Sequence, residues 1–375
     1  MSNLRIVLRV LSRSPLLTLV VVFSLGLGIG ANTAIFSLLY QVLLRSLPIE
    51  NPEELVFLKF PGEFKSGRDS TNSSGGQDSI FSYKMFRGLE KNHEGVSGIA
   101  GFRLLSANLS FRNQTVDGSL TVVSGGYFPI LGVKPHVGRL ITYEDDVPGG
   151  GRPVAVLSNS YWQNKLGGRS DVLNQPLRVN GQIFTIVGIA PEGFTGTTFG
   201  DQPDVFVPLS FKPLMTPRWD GTDKWSDYWM YLFARLSPGM SRQQAEAGMN
   251  IPYHALVAEQ TKEKQGPDTS DRERFLKSKL TLVDGRLGQS QSRDSSQLPL
   301  LILMASTVLV LLIAVANSAN LLLARAAQRK KELAIRAALG ASRANIAGQM
   351  LTEALLLSFG GGLTACCLRP GLCIF

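Results

Sequence analysis

Only three cysteines occur in 375 residues, and Cys366, Cys367 and Cys373 all fall in the last ten. No disulfide can staple the chain upstream of them, so any domain there must be held by its own apolar core. Histidine is as scarce: His93, His136 and His254 stand singly, with no second ligand at metal-like spacing, and no metal site is expected. The chain contains no G-x-x-x-x-G-K-[ST] phosphate loop and no G-x-S-x-G nucleophile elbow. ATP binding of the usual P-loop kind is therefore excluded. The residues argue for no catalytic group and no cofactor.

Charge is missing from two long stretches. Leu16 to Leu44 is 29 residues and Leu298 to Ala324 is 27, each without Asp, Glu, Lys, Arg or His. About 20 apolar residues cross a bilayer core, so both runs are long enough to span it. The first run has the basic start of a secretion signal, yet a signal core is roughly 7–15 residues; an uncleaved anchor is expected. As a helix it would measure about 43 Å against a core of roughly 30 Å, so it should tilt or continue as a stalk.

What charge there is clusters. Residues 1–15 carry Arg5, Arg9 and Arg13, and residues 325–343 carry a net +5, whereas residues 45–297 hold 28 basic and 27 acidic groups. The formal +9 and the pI of about 9.5 thus come from two short segments beside apolar runs, and a nucleic-acid partner is not expected. Lys and Arg beside a span mark the cytoplasmic side. Both basic segments then lie in the cytoplasm, and residues 45–297 lie across the membrane, with length enough for a folded core.

Within that region, residues 61–79 read as an exposed polar loop. Pro153 to Leu157 reads as a buried strand, followed by Ser158 as the N-cap of a short helix. Asn180-Gly181 between two apolar stretches predicts a hairpin over Gln175–Ile189. Asp204–Leu209, Tyr228–Leu236 and Lys279–Val283 predict strands, the last preceding a polar segment at 284–297. Ser241 to Gln244 predicts a capping box opening a helix to about Lys264. Strands and helices mix without βα alternation, which predicts an α+β fold, and there is no internal repeat. Glu144-Asp145-Asp146, just before Pro148-Gly-Gly-Gly151, reads as a solvated turn rather than as paired acids for hydrolysis.

Gly26-Leu-Gly28-Ile-Gly30 looks superficially like a dinucleotide loop but lies inside the first apolar run. Gly26 and Gly30 carry small-xxx-small spacing, which lets a neighbouring helix approach, and Gly26, Gly28 and Gly30 are assigned to helix packing. In the second basic segment, Leu333, Ala337 and Ala338 recur at helical spacing. It reads either as a juxtamembrane helix whose cations meet lipid headgroups or as a docking helix for a cytoplasmic partner. A third helix is expected from Ile346. It contains Glu353, costly in a bilayer, and the apolar stretch Ala354–Leu368 is only 15 residues.

Three blocks together resemble the MacB/FtsX-type ABC transporter permeases, specifically the acidobacterial duplicated orphan permease group. They are residues 11–56 (LSRSPLLTLVVVFSLGLGIGANTAIF onward), residues 124–196 (SGGYFPILGVKPHVGRL through LRVNGQIFTIVGIAPEGFTG) and residues 316–357 (ANSANLLLARAAQRKKELAIRAALGAS onward). The resemblance implies a cytoplasmic N-terminus at 1–15, a transmembrane helix at 16–44 and a periplasmic core domain at 45–297. A second transmembrane helix follows at 298–324, then a cytoplasmic coupling segment at 325–345. Residues 346–368 would begin the FtsX-like permease domain, and 369–375 form an atypical tail. It implies a multi-pass inner-membrane permease subunit, not itself an enzyme, coupled to a separate cytoplasmic ABC ATPase. Arg329, Glu332, Arg336, Gly340 and Arg343 would carry the coupling. A homodimer or pairing with a second permease, and a periplasmic partner, are further expectations. Such permeases are longer than this chain, so a C-terminally truncated form is expected. A non-transporting signalling scaffold and a truncated product without its own function stand as alternatives.

Overall fold

The computed structural model describes residues 15–60, 68–112, 114–263, 276–328 and 343–367. In chain order, α1 (Pro15–Leu39) closes in a π-type turn at Tyr40–Leu44, and β1 (Leu55–Lys59), β2 (Arg68–Asp69), β3 (Ile80–Ser82) and α2 (Tyr83–Lys91) follow. Next come β4 (Val96–Phe111), β5 (Gln114–Val123), α3 (Tyr127–Leu131), β6 (Val137–Gly138), β7 (Val154–Leu157) and α4 (Asn159–Asn164). The outer half ends with β8 (Pro176–Val179), β9 (Gln182–Ile189), β10 (Val205–Pro208), α5 (Lys212–Met215), β11 (Asp227–Leu236), α6 (Arg242–Glu263) and β12 (Thr281–Asp284). Two long helices complete the chain, α7 (Gln291–Gln328) and α8 (Arg343–Cys367). These elements divide into two compact units: Arg45–Asp294 is the outer unit, and the residues up to Leu44 with those from Ser295 onward form the helical unit.

The outer unit is built on one twelve-stranded mixed sheet: nine strands run in the order β12-β1-β11-β4-β5-β10-β7-β9-β6, β2 and β3 pair with β11 off this path, and β8 pairs with β4 and β9. β4 is the pivot. Its first half pairs with β11, its second half with β5, and Leu109 and Ser110 pair with β8. Because β8 pairs with β9, β9 with β7, β7 with β10 and β10 with β5, six strands close into a ring. Closure removes exposed strand edges over that stretch.

Side chains alternate along a strand, and here each alternation feeds two cores. Val56, Leu58, Met230, Leu232, Ala155, Leu157, Val205 and Val207 enter one cluster, while Leu55, Phe57, Tyr231, Phe233, Val154, Val156 and Phe206 enter the other. A strand buried on both faces needs an unbroken apolar run, which is why VAVL in β7 and VFVP in β10 carry no polar interruption. The second core is aromatic: the Tyr127 ring lies 5.2 Å from Phe128 and 5.4 Å from Phe233, and Phe128 lies 5.3 Å from Phe206, all edge-on. The first core is closed by α2 and α6, which supply Met85, Phe86, Leu89, Met249, Tyr253 and Val257.

Local signals in the sequence match the caps and turns. Ser158 Oγ accepts from the Tyr161 N–H at 3.2 Å. Ser241 Oγ accepts from the Gln244 N–H at 3.3 Å while Gln244 Oε1 accepts from the Ser241 N–H at 3.0 Å, a reciprocal box. Asn180 and Gly181 both have positive φ, 48° and 84°, as a primed two-residue hairpin turn requires. The outer edge of β12 is covered by α6 side chains instead of a strand. Glu246 accepts the Leu282 N–H at 2.8 Å, and Asn250 both accepts from and donates to the Leu280 backbone at 2.9 Å.

Two expectations are corrected, and one segment gains an element. The polar stretch at 61–79 is not wholly an exposed loop: within its described part, residues 68–79, Ser74 and Ser79 are fully buried. Small hydroxyls can be buried when partnered, and Ser74 Oγ lies 2.8 Å from Thr198 Oγ1. The polar segment at 284–297, for which no element is predicted, is half helix, because α7 begins at Gln291 with Ser290 Oγ accepting from the Arg293 N–H at 3.3 Å. The acidic run is not a solvated turn. Glu144 is exposed, but the side chains of Asp145 and Asp146 are 0% exposed.

Candidate functional site: buried ion pairs, chain connectors and the helix seam

Asp145 and Asp146 are drawn inward by backbone N–H groups and arginines. Arg139 donates to both Asp145 oxygens at 2.6 and 2.9 Å, and the Thr142 N–H adds a bond of 3.0 Å. Burial alone would raise the Asp145 pKa, but these donors and the Arg139 charge outweigh it and hold the carboxyl below its usual range. Asp146 accepts from Arg87 at 2.9 Å, from the Gly125 N–H at 3.1 Å and from the Ser210 N–H at 2.7 Å. It thereby ties α2 to two loops far apart in sequence. All four oxygens of these two carboxylates serve as structural acceptors.

Two buried cations are satisfied without a carboxylate. Arg103 on β4 donates to the carbonyls of Ser70, Trp229 and Thr71 and to Ser70 Oγ, at 2.8 to 3.2 Å. Lys212 donates to the carbonyls of Trp219 and Asp220 and lies 4.8 and 4.6 Å from the Trp219 and Trp229 ring centroids. Burial pulls its pKa down to about 8, against the opposing pull of Asp220 and Asp227. Neither residue was visible as a site in the sequence, since a lone Arg or Lys in a mixed stretch signals nothing.

The chain enters and leaves the outer unit through two connectors that lie together within it. The Leu47 N–H donates to the Arg286 carbonyl at 2.8 Å. Arg235, near the end of β11, grips the incoming connector: its guanidinium donates to the carbonyls of Glu50 and Asn51, to Glu54 Oε2 and to the Ile130 carbonyl, at 2.6 to 3.1 Å. One planar fork thus bonds four acceptors from two segments.

In the helical unit, α1 presents glycines to two neighbours. A Cβ on Gly26 would overlap the Thr364 hydroxyl and come within 3.1 Å of the Gly361 carbonyl oxygen, both on α8. A Cβ on Gly28 would meet Leu311 of α7 at 2.9 Å. Gly30, half-buried, lies one turn beyond Gly26. Asn32 adds a polar clasp absent from the sequence reading, donating to the Thr307 carbonyl of α7 at 2.9 Å. A lone Asn inside an apolar run was the available signal. Leu16, Leu298 and Leu355 are 79%, 67% and 67% exposed, an arrangement suited to lipid contact rather than to water. Arg329, Glu332, Arg336 and Gly340 lie outside the described residues, and Arg343 is the first residue of α8. Among the described residues no three His, Cys, Asp or Glu side chains gather as a metal site; His93 follows α2, His136 precedes β6 and His254 sits in α6.

Fold and helices together define a membrane protein whose α+β domain is carried between apolar helices. A family profile described as MacB-like periplasmic core domain matches residues 18–250, and one described as FtsX-like permease C-terminal matches residues 304–368. The chain belongs to the MacB/FtsX-type permease family, and it is an inner-membrane protein with a periplasmic domain. Among curated relatives, the macrolide export ATP-binding/permease protein MacB of Neisseria meningitidis serogroup A is 27% identical over 255 residues, covering 68% of this chain and 35% of that protein. MacB of Chlorobium luteolum is 27% identical over 287 residues, covering 76% of this chain and 39% of that protein. The chain therefore spans little more than a third of their length. The crystal structure of the periplasmic region of MacB from Actinobacillus actinomycetemcomitans aligns at 15% identity with a TM-score of 0.41, covering 58% of this chain and 96% of that one.

Proposed function

We propose that the chain is the permease subunit of an ABC-type transporter, coupling a separate cytoplasmic ATPase to movements of its periplasmic domain. The carrying observation is order: the match to the MacB-like periplasmic core domain opens on the first apolar helix and runs through the outer unit, and the FtsX-like match opens on the next apolar helix. The basic flanks at 1–15 and 325–343 support a multi-pass reading with both ends of the helical pair in the cytoplasm. The ATPase would dock on residues 325–345, with Arg329, Glu332, Arg336, Gly340 and Arg343 as contacts, and would perform the hydrolysis; this chain supplies no catalytic group. A second copy or a second permease would complete the membrane unit, in contact with lipids, and a periplasmic partner would engage the outer unit.

The test is to purify the full chain from its native membranes into lipid nanodiscs and ask what accompanies it. The expected result is an ATPase cross-linked to residues 325–343, with ATP turnover raised by an exported compound. Turnover indifferent to every compound, together with a tightly bound periplasmic protein, would instead favour a signalling scaffold. Recovery without any ATPase would sink the proposal.

A further inference from the structure

The first turn of α7, Gln291–Asp294, belongs to the outer unit and is fastened within it by an arginine. Arg293 reaches back to donate to the carbonyls of Leu287 and Gly288 at 2.6 and 2.8 Å, and its guanidinium lies 4.9 Å from the Phe199 ring centroid. The residues it holds are themselves woven into the loop 195–201. The Gln289 N–H donates to the Thr197 carbonyl at 2.8 Å, and the Phe199 N–H donates to the Gln289 carbonyl at 2.9 Å. That loop continues the contact inward: Thr198 meets Ser74, Thr197 meets Tyr127, and Asp201 accepts from Ser73.

Two features make this joint tight. Gly288 has φ +76°, and a Cβ there would come within 2.8 Å of the Thr197 carbonyl oxygen and 3.1 Å of the Leu47 side chain. Only glycine lets the outgoing connector lie this close to both the loop and the incoming connector. Gln289 is 6% exposed, and neither polar atom of its side-chain amide has a protein partner. A buried amide is costly unpaired.

We propose that Arg293, with Phe199, is the positioning residue through which displacement of α7 enters the periplasmic domain, and that Gln289 sits at the joint that changes partners. This rests on the transporter reading above. Charge-assisted bonds to two carbonyls hold the first turn of α7, so a shift of that turn either breaks them or carries residues 287–289 and the loop 195–201 along.

The test is hydrogen exchange of the full chain in lipid nanodiscs, alone and with its copurified ATPase and ATP. In the wild type, ATP should change exchange across 195–201 and 286–293. Arg293→Met should abolish that change while leaving the β4–β5 amides protected and the ATPase bound. Without ATP it should also speed exchange of the Gln289 and Phe199 amides by about tenfold, the scale of losing one charge-assisted hydrogen bond. Arg293→Lys, which keeps the charge but not the fork, should rescue little. If Arg293→Met loses the β4–β5 protection, Phe199→Leu replaces it, with the same loss of ATP response expected. An intact ATP response in the folded variant overturns the proposal. If no ATPase copurifies, the transporter reading fails instead, and unchanged exchange at Gln289 and Phe199 in the ATP-free arm would still refute the clasp.

Discussion

Asp145 and Asp146 stand side by side in a run that reads as solvated, and both are buried. The difference lies in where their acceptors are needed: the loops at Gly125, Thr142 and Ser210 leave backbone N–H groups inside, and carboxylates satisfy several donors at once. Asp146→Ala would strand two of those N–H groups and remove a counter-charge from Arg87, which keeps Glu90 at 2.6 Å. We expect a loss of about 3–5 kcal/mol, a fall in Tm on the order of 10 °C, read by thermal melting. A loss under about 1 kcal/mol would show that water replaces the carboxylate without cost. Asp145 makes a pH prediction. Its pKa is lowered on folding, so its contribution is complete above the unfolded carboxylate value of about 3.9 and is lost as pH falls through the lower folded value. The melting temperature of the wild type should therefore fall more steeply below about pH 4 than that of Asp145→Asn; parallel acid profiles would contradict this.

At the scale of elements, the small residues of α1 divide between two neighbours: Gly26 serves α8 and Gly28 serves α7. The small-xxx-small spacing of Gly26 and Gly30 predicts a close approach, and the contacts fall at Gly26 and at Gly28, which lies outside that spacing. It could not say which helix would come close, since that depends on segments hundreds of residues away. The obstacle at Gly26 is a specific hydroxyl, which makes a double variant informative. Gly26→Ala should lower the melting midpoint of the full chain in detergent, and adding Thr364→Ala should recover part of the loss. Additive losses would mean that Thr364 is not what Gly26 accommodates. The hairpin at Asn180-Gly181 and the capping box at Ser241 were legible because their information is local: a positive φ at two residues, a side chain three residues from its backbone partner. The β4–β5 hairpin was not legible. Its polar-spotted outer half, SANLSF and QTVDGS, pairs strand to strand without a clean apolar alternation, and Leu109 and Ser110 gain a further partner in β8.

At the scale of the whole molecule, the two units have different solvents. The outer unit contains no cysteine and carries two interlocked cores, so Arg45–Asp294 expressed alone should fold and melt in one cooperative transition, unaffected by reducing agent. A broad, non-cooperative melt would mean that the domain depends on the apolar helices for its structure.

The sequence by itself determined the partition: two charge-free runs, basic flanks, a neutral region between them and an α+β outer domain. Those properties depend on composition over tens of residues, and no contact between distant residues is needed to express them. Only the tertiary structure decided the ring of six strands, the inward turn of Asp145 and Asp146, the carbonyl-bound Arg103, Arg235 and Arg293, and the division of Gly26 and Gly28 between two helices. Each of these is a contact between residues far apart in the chain. Its energy depends on how well a particular partner offsets the desolvation of a polar group or fits against a backbone, and one-dimensional spacing holds no record of that partner.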